Sequence, residues 1–193
     1  MSPGPDKQFD RDAALDSAME LFWAKGYTAV GVTELLDDMG VGRQSMYDTF
    51  GNKRELFLAA LQRYEREQTS TVRSMLEAPG SPMANVRRAF GYWEQLLRGG
   101  RGCLVGNSCT ELGPQDSEVA ELLRHSLQRI NRMFVDVLER AKEVGELSEA
   151  ADPVALASMI VTMGQGVALL SQADCLEVAM SGWNGMKETL ASA

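Results

Sequence analysis

Strand-like alternation of apolar and polar residues is almost absent from this 193-residue chain. Helical periodicity recurs instead between glycine and proline punctuation, which indicates an all-α protein. Histidine is scarce: the only one is His125, so a histidine metal site or a Ser-His-Asp triad would have to be built around that single residue. It has no cysteine at ligand spacing, and it reads as a surface or hydrogen-bonding histidine. The three cysteines, Cys103, Cys109 and Cys175, are odd in number and match no zinc pattern and no C-x-x-C motif, which argues against a disulfide framework. Gly99, Gly100 and Gly102 lack the strand before and the helix spacing after that a phosphate-cradling loop requires. No metal, cofactor or catalytic group is expected, and the chain does not read as an enzyme.

The opening MSPGPDKQFD has neither an apolar core nor a cleavage-like site, so it reads as a short flexible lead, and the protein as cytoplasmic. Cations are in deficit: 19 Lys and Arg stand against 27 Asp and Glu, a net charge of -8. That excludes a generic basic nucleic-acid coat, so any DNA contact must come from a local set of cations on an otherwise repelling protein. Val154 to Leu170 carries no charge over a whole helix. It falls short of the roughly 20 apolar residues a membrane span needs, holds Ser158, Thr162, Gly164, Gln165 and Gly166, and is flanked by Asp152 and Asp174 rather than Lys or Arg. It reads as a buried helix, with no membrane partner.

What is present fits an ordinary globular protein: 45% hydrophobic and 24% charged residues, at a length that buries roughly 70% of its surface in one or two domains. The first helix runs from about Asp10 to Lys25, with Ala14, Leu15, Ala18, Leu21 and Phe22 as its apolar stripe and Gly26 as its stop. Val32 to Phe50, VTELLDDMGVGRQSMYDTF, reads as two short helices joined by a turn at Gly40. Gly31 is the N-cap of the second helix, and Val32, Leu35, Leu36 and Met39 form its inward face. The third helix, about Gly42 to Thr49, sends Met46 and then Phe50 inward and leaves Arg43, Gln44, Ser45, Tyr47 and Asp48 on its other faces. Arg takes guanine bidentately, Gln takes adenine, Ser bonds a base edge or phosphate, and Tyr reaches the backbone. Lys53 and Arg54 open the fourth helix, where free N–H groups already favour a phosphate. These features describe a helix-turn-helix whose second helix enters the major groove. The alternative from these residues alone is a solvated face on an ordinary helical hairpin.

The block from Phe9 to Leu61 resembles the DNA-binding domain of TetR-family (tetracycline-repressor-like) transcriptional regulators. The elements that carry the resemblance are LFWAKGY (Leu21 to Tyr27), GVTELLDDMGV (Gly31 to Val41), GRQSMYDTF (Gly42 to Phe50) and GNKRELF (Gly51 to Phe57), contiguous and in family order. By that resemblance Arg43, Gln44, Ser45 and Tyr47 contact operator DNA and Lys53 meets phosphate, with Thr28 and Thr33 as further phosphate contacts. The chain departs from many relatives at Val30 and Gly31, where they have Thr and Ser, and at Asp48 and Thr49, where they have His or Tyr. Asp48, acidic near a polyanion, either faces away, accepts from a cytosine amine or pairs with a neighbouring arginine. Residues 1 to 64 hold seven cations and ten acids, a net charge of -3, so affinity must rest on a few placed contacts and a dimer, with a steep loss as salt rises.

The sequence places a domain boundary at the start of the fourth helix: residues 1–52 as the helix-turn-helix domain and 53–193 as a helical effector-binding and dimerisation domain. The fourth helix extends from Lys53 to near Glu77, with Leu56, Phe57, Ala60, Leu61 and Tyr64 buried, and APGSP ends it. The next runs from Asn85 to Arg98, where Tyr92 and Trp93 are candidate effector-binding residues and otherwise core packing. A short helix spans Leu104 to Leu112. A GCL stretch before such a helix recurs in one branch of the family, some members of which sense electrophiles or oxidants through cysteine, and Cys103 stands where that thiol would be. Arg101 and the helix start beside it favour a thiolate; a small buried hydrophobe is the other reading, and packing is the reading for Cys109. Ser117, as cap, opens a long amphipathic helix to Gly145, with Val119, Leu122, Leu123, Leu127, Ile130, Phe134, Val137, Leu138 and Ala141 inward. Pro153 and Asp152 open the uncharged helix, and Leu176 to Leu190 completes a hairpin. A helix apolar on nearly all faces is not satisfied in one small domain, so the last two helices are expected to pair with a copy across a two-fold axis, which is how the family dimerises; the alternative is a central helix buried entirely within its own subunit.

The expectation is a homodimeric repressor on double-stranded, pseudo-palindromic operator DNA, released by a small-molecule effector. The alternatives are an electrophile- or redox-sensing regulator using Cys103, or an all-α binding protein or enzyme that no longer binds DNA.

Overall fold

The fold is known from a computed structural model that describes residues 9–191; the flexible lead expected at the N-terminus lies mostly outside them. The described residues form nine α-helices and no strands. By their contacts the helices divide into two compact units, Met1–Tyr64 and Glu65–Ala193.

The first unit holds α1 (Arg11–Lys25), α2 (Val32–Met39), α3 (Arg43–Phe50) and the leading turns of α4 (Lys53–Leu76). Asp10 caps α1 by accepting from the N–H groups of Asp12 and Ala13, at 2.9 and 3.1 Å, and the Gly26 N–H closes it on the Phe22 carbonyl at 2.8 Å. The stripe that points inward is Ala14, Leu15, Ala18, Met19 and Phe22. Met19 takes the place expected for Leu21, which is half-buried, because the face is centred on the 14-18-22 row. On α2 only Leu35 and Met39 are fully buried, with Val32 and Leu36 half-exposed. Phe57 of α4 receives Phe22 edge-on at 5.1 Å and Tyr27 at 4.7 Å, while Trp23 meets Tyr64 edge-on at 5.0 Å. Each such pair adds about 0.5–1.5 kcal/mol beyond area burial. Arg63 of α4 bonds Asp12 at 3.2 Å and Asp16 at 2.9 Å on α1. Because Leu56, Phe57, Ala60, Leu61 and Tyr64 all pack here, contacts divide the chain at Tyr64/Glu65, inside α4, whereas the sequence reading set the boundary at 52/53.

The second unit holds the rest of α4, α5 (Pro82–Arg98), α6 (Leu104–Leu112), α7 (Ser117–Glu143), α8 (Pro153–Gln172) and α9 (Leu176–Ala191). Helix α5 starts at Pro82, earlier than the Asn85 expected from sequence. Ser81 is its N-cap, accepting from Ala84 N at 3.0 Å, and Pro82 fills the first helical position. Proline there loses no bond and has its φ already set, so the PGSP run ends one helix and opens the next. Glu146 reinforces this start, accepting from the Ser81 hydroxyl at 2.8 Å and the Met83 N–H at 2.9 Å. Those two donors, the Met83 amide foremost, hold the Glu146 carboxyl below the usual glutamate range. Helix α7 is capped by Asp116 through Glu118 N and Val119 N; Ser117, expected as the cap, is its first helical residue. Of the inward face expected on α7, Val119, Phe134, Val137, Leu138 and Ala141 are buried, joined by Ser126 and Met133, while Leu122, Leu123, Leu127 and Ile130 are half-exposed.

Helix α8 is long and apolar enough, by length and composition, to cross a membrane. It packs on α5, α7 and α9 through Ala157, Ile160, Val161, Val167, Ala168 and Ser171. The opposite row, Val154, Ser158, Thr162, Gly166 and Leu169, is exposed. The subunit alone therefore does not enclose the helix that the sequence presents as buried.

Candidate nucleic-acid interface and effector cavity

In the first unit the turn between α2 and α3 depends on Gly40, which is left-handed at φ 66 and ψ 28. The Val41 N–H bonds the Leu36 carbonyl at 3.1 Å, and buried Val41 pins the turn to the core. Helix α3 then buries Met46 completely and Phe50 nearly so. With those two inside, Arg43, Gln44, Tyr47 and Asp48 fall on the outer face, and all four are exposed; Tyr47 retains 41% of its surface. Ser45, named with them from sequence, is half-buried at the margin of this face. Thr28, in the turn after α1, and Thr33, on the first turn of α2, are both exposed.

Within the outer face Gln44 donates Nε2–H to Asp48 Oδ1 at 2.8 Å. Asp48 thus pairs with Gln44, one helical turn away, rather than with the neighbouring arginine considered from sequence. The partner is set by the i,i+4 neighbourhood of a helix.

Lys53 opens α4 behind a capping box. Asn52 Oδ1 accepts from Arg54 N at 2.9 Å and Glu55 N at 3.1 Å, while Glu55 Oε2 accepts from Asn52 N at 2.7 Å. The half-buried Lys53 side chain lays its ammonium 4.3 Å from the centroid of the Tyr27 ring. Tyr27 was not among the sequence candidates; the available signal was an aromatic beside Thr28 with a lysine at a helix start. Lys25 bonds Glu34 across the α1 to α2 turn, and that bond, ahead of all other causes, lowers the Glu34 carboxyl below its ordinary value.

Tyr92, Trp93 and Cys103, the candidates in the second unit, all pack against its hydrophobic core. Tyr92 is half-buried and donates its hydroxyl to Gln68 Oε1 at 2.8 Å, with burial pushing its phenol up. Trp93 stands against Phe134 at 5.3 Å and Trp183 at 6.2 Å, and Gly164 of α8 brings backbone against its ring. Both residues pack against the hydrophobic core. Trp183, missed from sequence, is fully buried there, and its indole N–H has no acceptor among the described residues.

Cys103 is half-buried at the N-cap of α6. It lines a cavity of about 380 Å³ between α6, α7 and α8, together with Gly106, Asn107, Cys109, Leu123, Leu127, Gln165 and Leu169. Cys109, expected to be packing, shares this cavity. The segment leading into α6 crosses α8 closely: Gly102 is left-handed at φ 63, and a Cβ on it would stand 3.0 Å from the Ala168 carbonyl. Asn107 ties the segment down, donating to the Arg101 carbonyl at 2.9 Å and accepting from Gln172 of α8.

Comparison with known proteins agrees with this layout. The family model for "Bacterial regulatory proteins, tetR family" matches residues 14–60, and that for "Tetracyclin repressor-like, C-terminal domain" matches residues 82–181. An uncharacterised HTH-type transcriptional regulator of Bacillus subtilis strain 168, YezE, is 37% identical over 158 residues, covering 80% of this chain and 81% of its own. The HTH-type transcriptional repressor ComR of Escherichia coli K12 is 32% identical, covering 87% of this chain and 82% of its own. Among solved structures, a cysteine mutant of the TetR family regulator CifR, complexed with 26-base-pair double-strand operator DNA, superposes with a TM-score of 0.72. It is 26% identical and covers 94% of this chain and 98% of its own. With α2, α3 and the head of α4 inside one family model and α5 to α8 inside the other, the chain belongs to the TetR family of bacterial regulatory proteins.

Proposed function

We propose that this protein is a cytoplasmic, ligand-responsive transcriptional regulator, a repressor that leaves a pseudo-palindromic operator when a small molecule binds its helical domain. The observation that carries the reading is the outer face of α3. Arg43, Gln44 and Tyr47 stand exposed over a buried Met46 and Phe50, with Lys53 held at the start of the next helix. Arg43 and Gln44 supply base-edge contacts; Tyr47, Ser45, Lys53, Thr28 and Thr33 supply backbone contacts. Two such heads need a two-fold axis, and the exposed row of α8 with Val178 of α9 offers the surface for it. Val154, Leu169 and Val178 retain 56%, 61% and 66% of their surface, apolar side chains free for a self-complementary contact. Residues 1–52 then form the reading domain and residues 53–193 the effector and dimer domain. An effector that binds one head spacing more tightly than the other shifts the dimer off its paired half-sites by that difference alone.

The test is footprinting and fluorescence anisotropy with DNA upstream of the protein's own gene, comparing wild type with Arg43→Ala at matched salt. Protection of an inverted repeat, weakened by about tenfold or more in the variant, is the expected result, given about 1–3 kcal/mol for a bidentate base contact. Undiminished binding by Arg43→Ala would remove α3 as the reading element.

A second reading, a cysteine-based electrophile or oxidant sensor, is favoured by one observation: Cys103 and Cys109 line the same cavity. A thiol adduct there would press on α8, which Asn107 and Gln172 join to the α6 segment. A thermal-shift screen of metabolites, antibiotics and electrophiles, repeated with Cys103→Ser, separates the two. A reversible hit retained by the variant identifies a pocket ligand; a hit lost with the thiol identifies covalent sensing.

A further inference from the structure

Helix α3 carries an acid where a polyanion is to be met, and that acid is bonded to a candidate base-reading side chain. A carboxylate only accepts, so the bond from Gln44 Nε2 to Asp48 Oδ1 at 2.8 Å decides which end of the Gln44 amide faces Asp48. The remaining N–H and the Oε1 atom are left to a ligand. That is one donor beside one acceptor, in fixed order, on an exposed face. Adenine presents the matching pair in the major groove, N7 as acceptor and N6–H as donor, whereas guanine presents two acceptors, N7 and O6.

We propose that Asp48 is a specificity-determining residue that acts through Gln44, locking its amide in the orientation that takes adenine and refuses guanine. The inference rests on the reading of α3 as the DNA-reading helix and deepens it. With the amide locked, guanine O6 would face Gln44 Oε1, acceptor against acceptor, and the buried pair would remain unsatisfied. A free amide can aim both N–H donors of its NH2 at N7 and O6 and so tolerate the substitution, whereas Asp48 occupies one of those two donors. Asp48 also repels phosphate, so it lowers affinity for every sequence while sharpening choice at one base pair. This resolves why an acid stands at a position where it weakens general attraction: the domain trades nonspecific binding for discrimination.

The test uses the full-length protein and a pool of duplexes with a randomised 30-base-pair core, followed by anisotropy titrations on the selected duplex. Wild type is expected to select one invariant adenine in each half-site. Replacing it by guanine, or by 7-deaza-adenine, which lacks N7, should weaken binding about tenfold or more, in line with a bidentate contact. Asp48→Ala should reduce the adenine-to-guanine ratio below about threefold and bind unselected DNA more tightly. Asp48→Asn, whose amide oxygen can still accept from Gln44, should keep much of the ratio while also binding unselected DNA more tightly; a matching circular dichroism spectrum verifies that each variant is folded. If Asp48→Ala keeps the full ratio, or Gln44→Ala keeps it, the pair does not determine this base and the proposal fails while DNA reading by α3 stands. If wild type selects no sequence at all, the underlying reading of α3 fails, and the proposal with it.

Discussion

The Lys53 ammonium rests over the Tyr27 ring, 4.3 Å from its centroid. The ring comes from the turn after α1 and the cation from the start of α4, so the packing of Phe57 against Phe22 and Tyr27 sets the position of a candidate phosphate contact. The ring face attracts the cation and limits its wandering without neutralising its charge.

Lys53→Ala is therefore expected to weaken operator binding about equally across sequences and to lower the slope of log K against log salt by about 0.9 for each phosphate no longer neutralised. Tyr27→Leu should weaken binding less and leave the slope nearly unchanged, since the charge remains. Salt titrations of both variants measure this; an unchanged slope in Lys53→Ala would show that Lys53 meets no phosphate.

Gly40→Ala should destabilise the first unit by about 1–2 kcal/mol, the cost of a left-handed residue with a Cβ. Nothing lies within 4 Å of where that Cβ would sit, so the whole effect is conformational, and Gly40→Asn should cost less because Asn tolerates this region. Urea denaturation of the three proteins reads the difference. Equal losses for Ala and Asn would mean that crowding, not backbone conformation, requires glycine there.

Glu94 joins α5 to α9 by accepting from Lys187 at 3.1 Å, and bonds Arg98 within α5 at 2.8 Å. The Arg98 bond first, then the Lys187 bond, hold its carboxyl below the ordinary glutamate value. A carboxyl lowered in the folded state contributes stability that is fully present above its unfolded value, about 4.3, and is lost as pH falls through the folded value. Wild type should exceed Glu94→Gln in Tm at pH 7, and the gap should close below about pH 4.3. Thermal melts from pH 7 to 3 check the sign; a gap that widened on acidification would contradict it.

Leu169 and Val178 are the most exposed large apolar side chains of α8 and α9, at 61% and 66%. The double variant Leu169→Arg, Val178→Asp is expected to run as a monomer in light scattering with unchanged helicity. Its operator salt slope should fall to about half, because one head remains. A dimer that persisted would place the two-fold contact on another surface.

Much of the first unit was legible along the chain. The 3.6-residue period alone put Met46 and Phe50 inside and Arg43, Gln44 and Tyr47 outside, and Gly40 marked the turn. The pairing of Gln44 with Asp48 was open to the same reasoning, since residues four apart are helix neighbours, yet charge drew attention to arginine instead. The start of α5 was misplaced because a PGSP run ends a helix and opens one with the same residues; Ser81 caps α5 through Ala84 N within its own turn, and Glu146, sixty-five residues later, adds a bond that no local pattern announces.

Local periodicity, capping residues and the contiguous motif of Gly31 to Phe57 thus determined the helices, their inward faces and the family. Each of those signals lies within a few turns of one helix or one loop. Tertiary structure alone decided that Tyr27 holds Lys53, that Cys103 and Cys109 open on one cavity, that Tyr92 and Trp93 pack against the core, and that α8 keeps an uncovered row. Those facts depend on which faces of distant helices meet, and a one-dimensional period specifies a face without naming what will cover it.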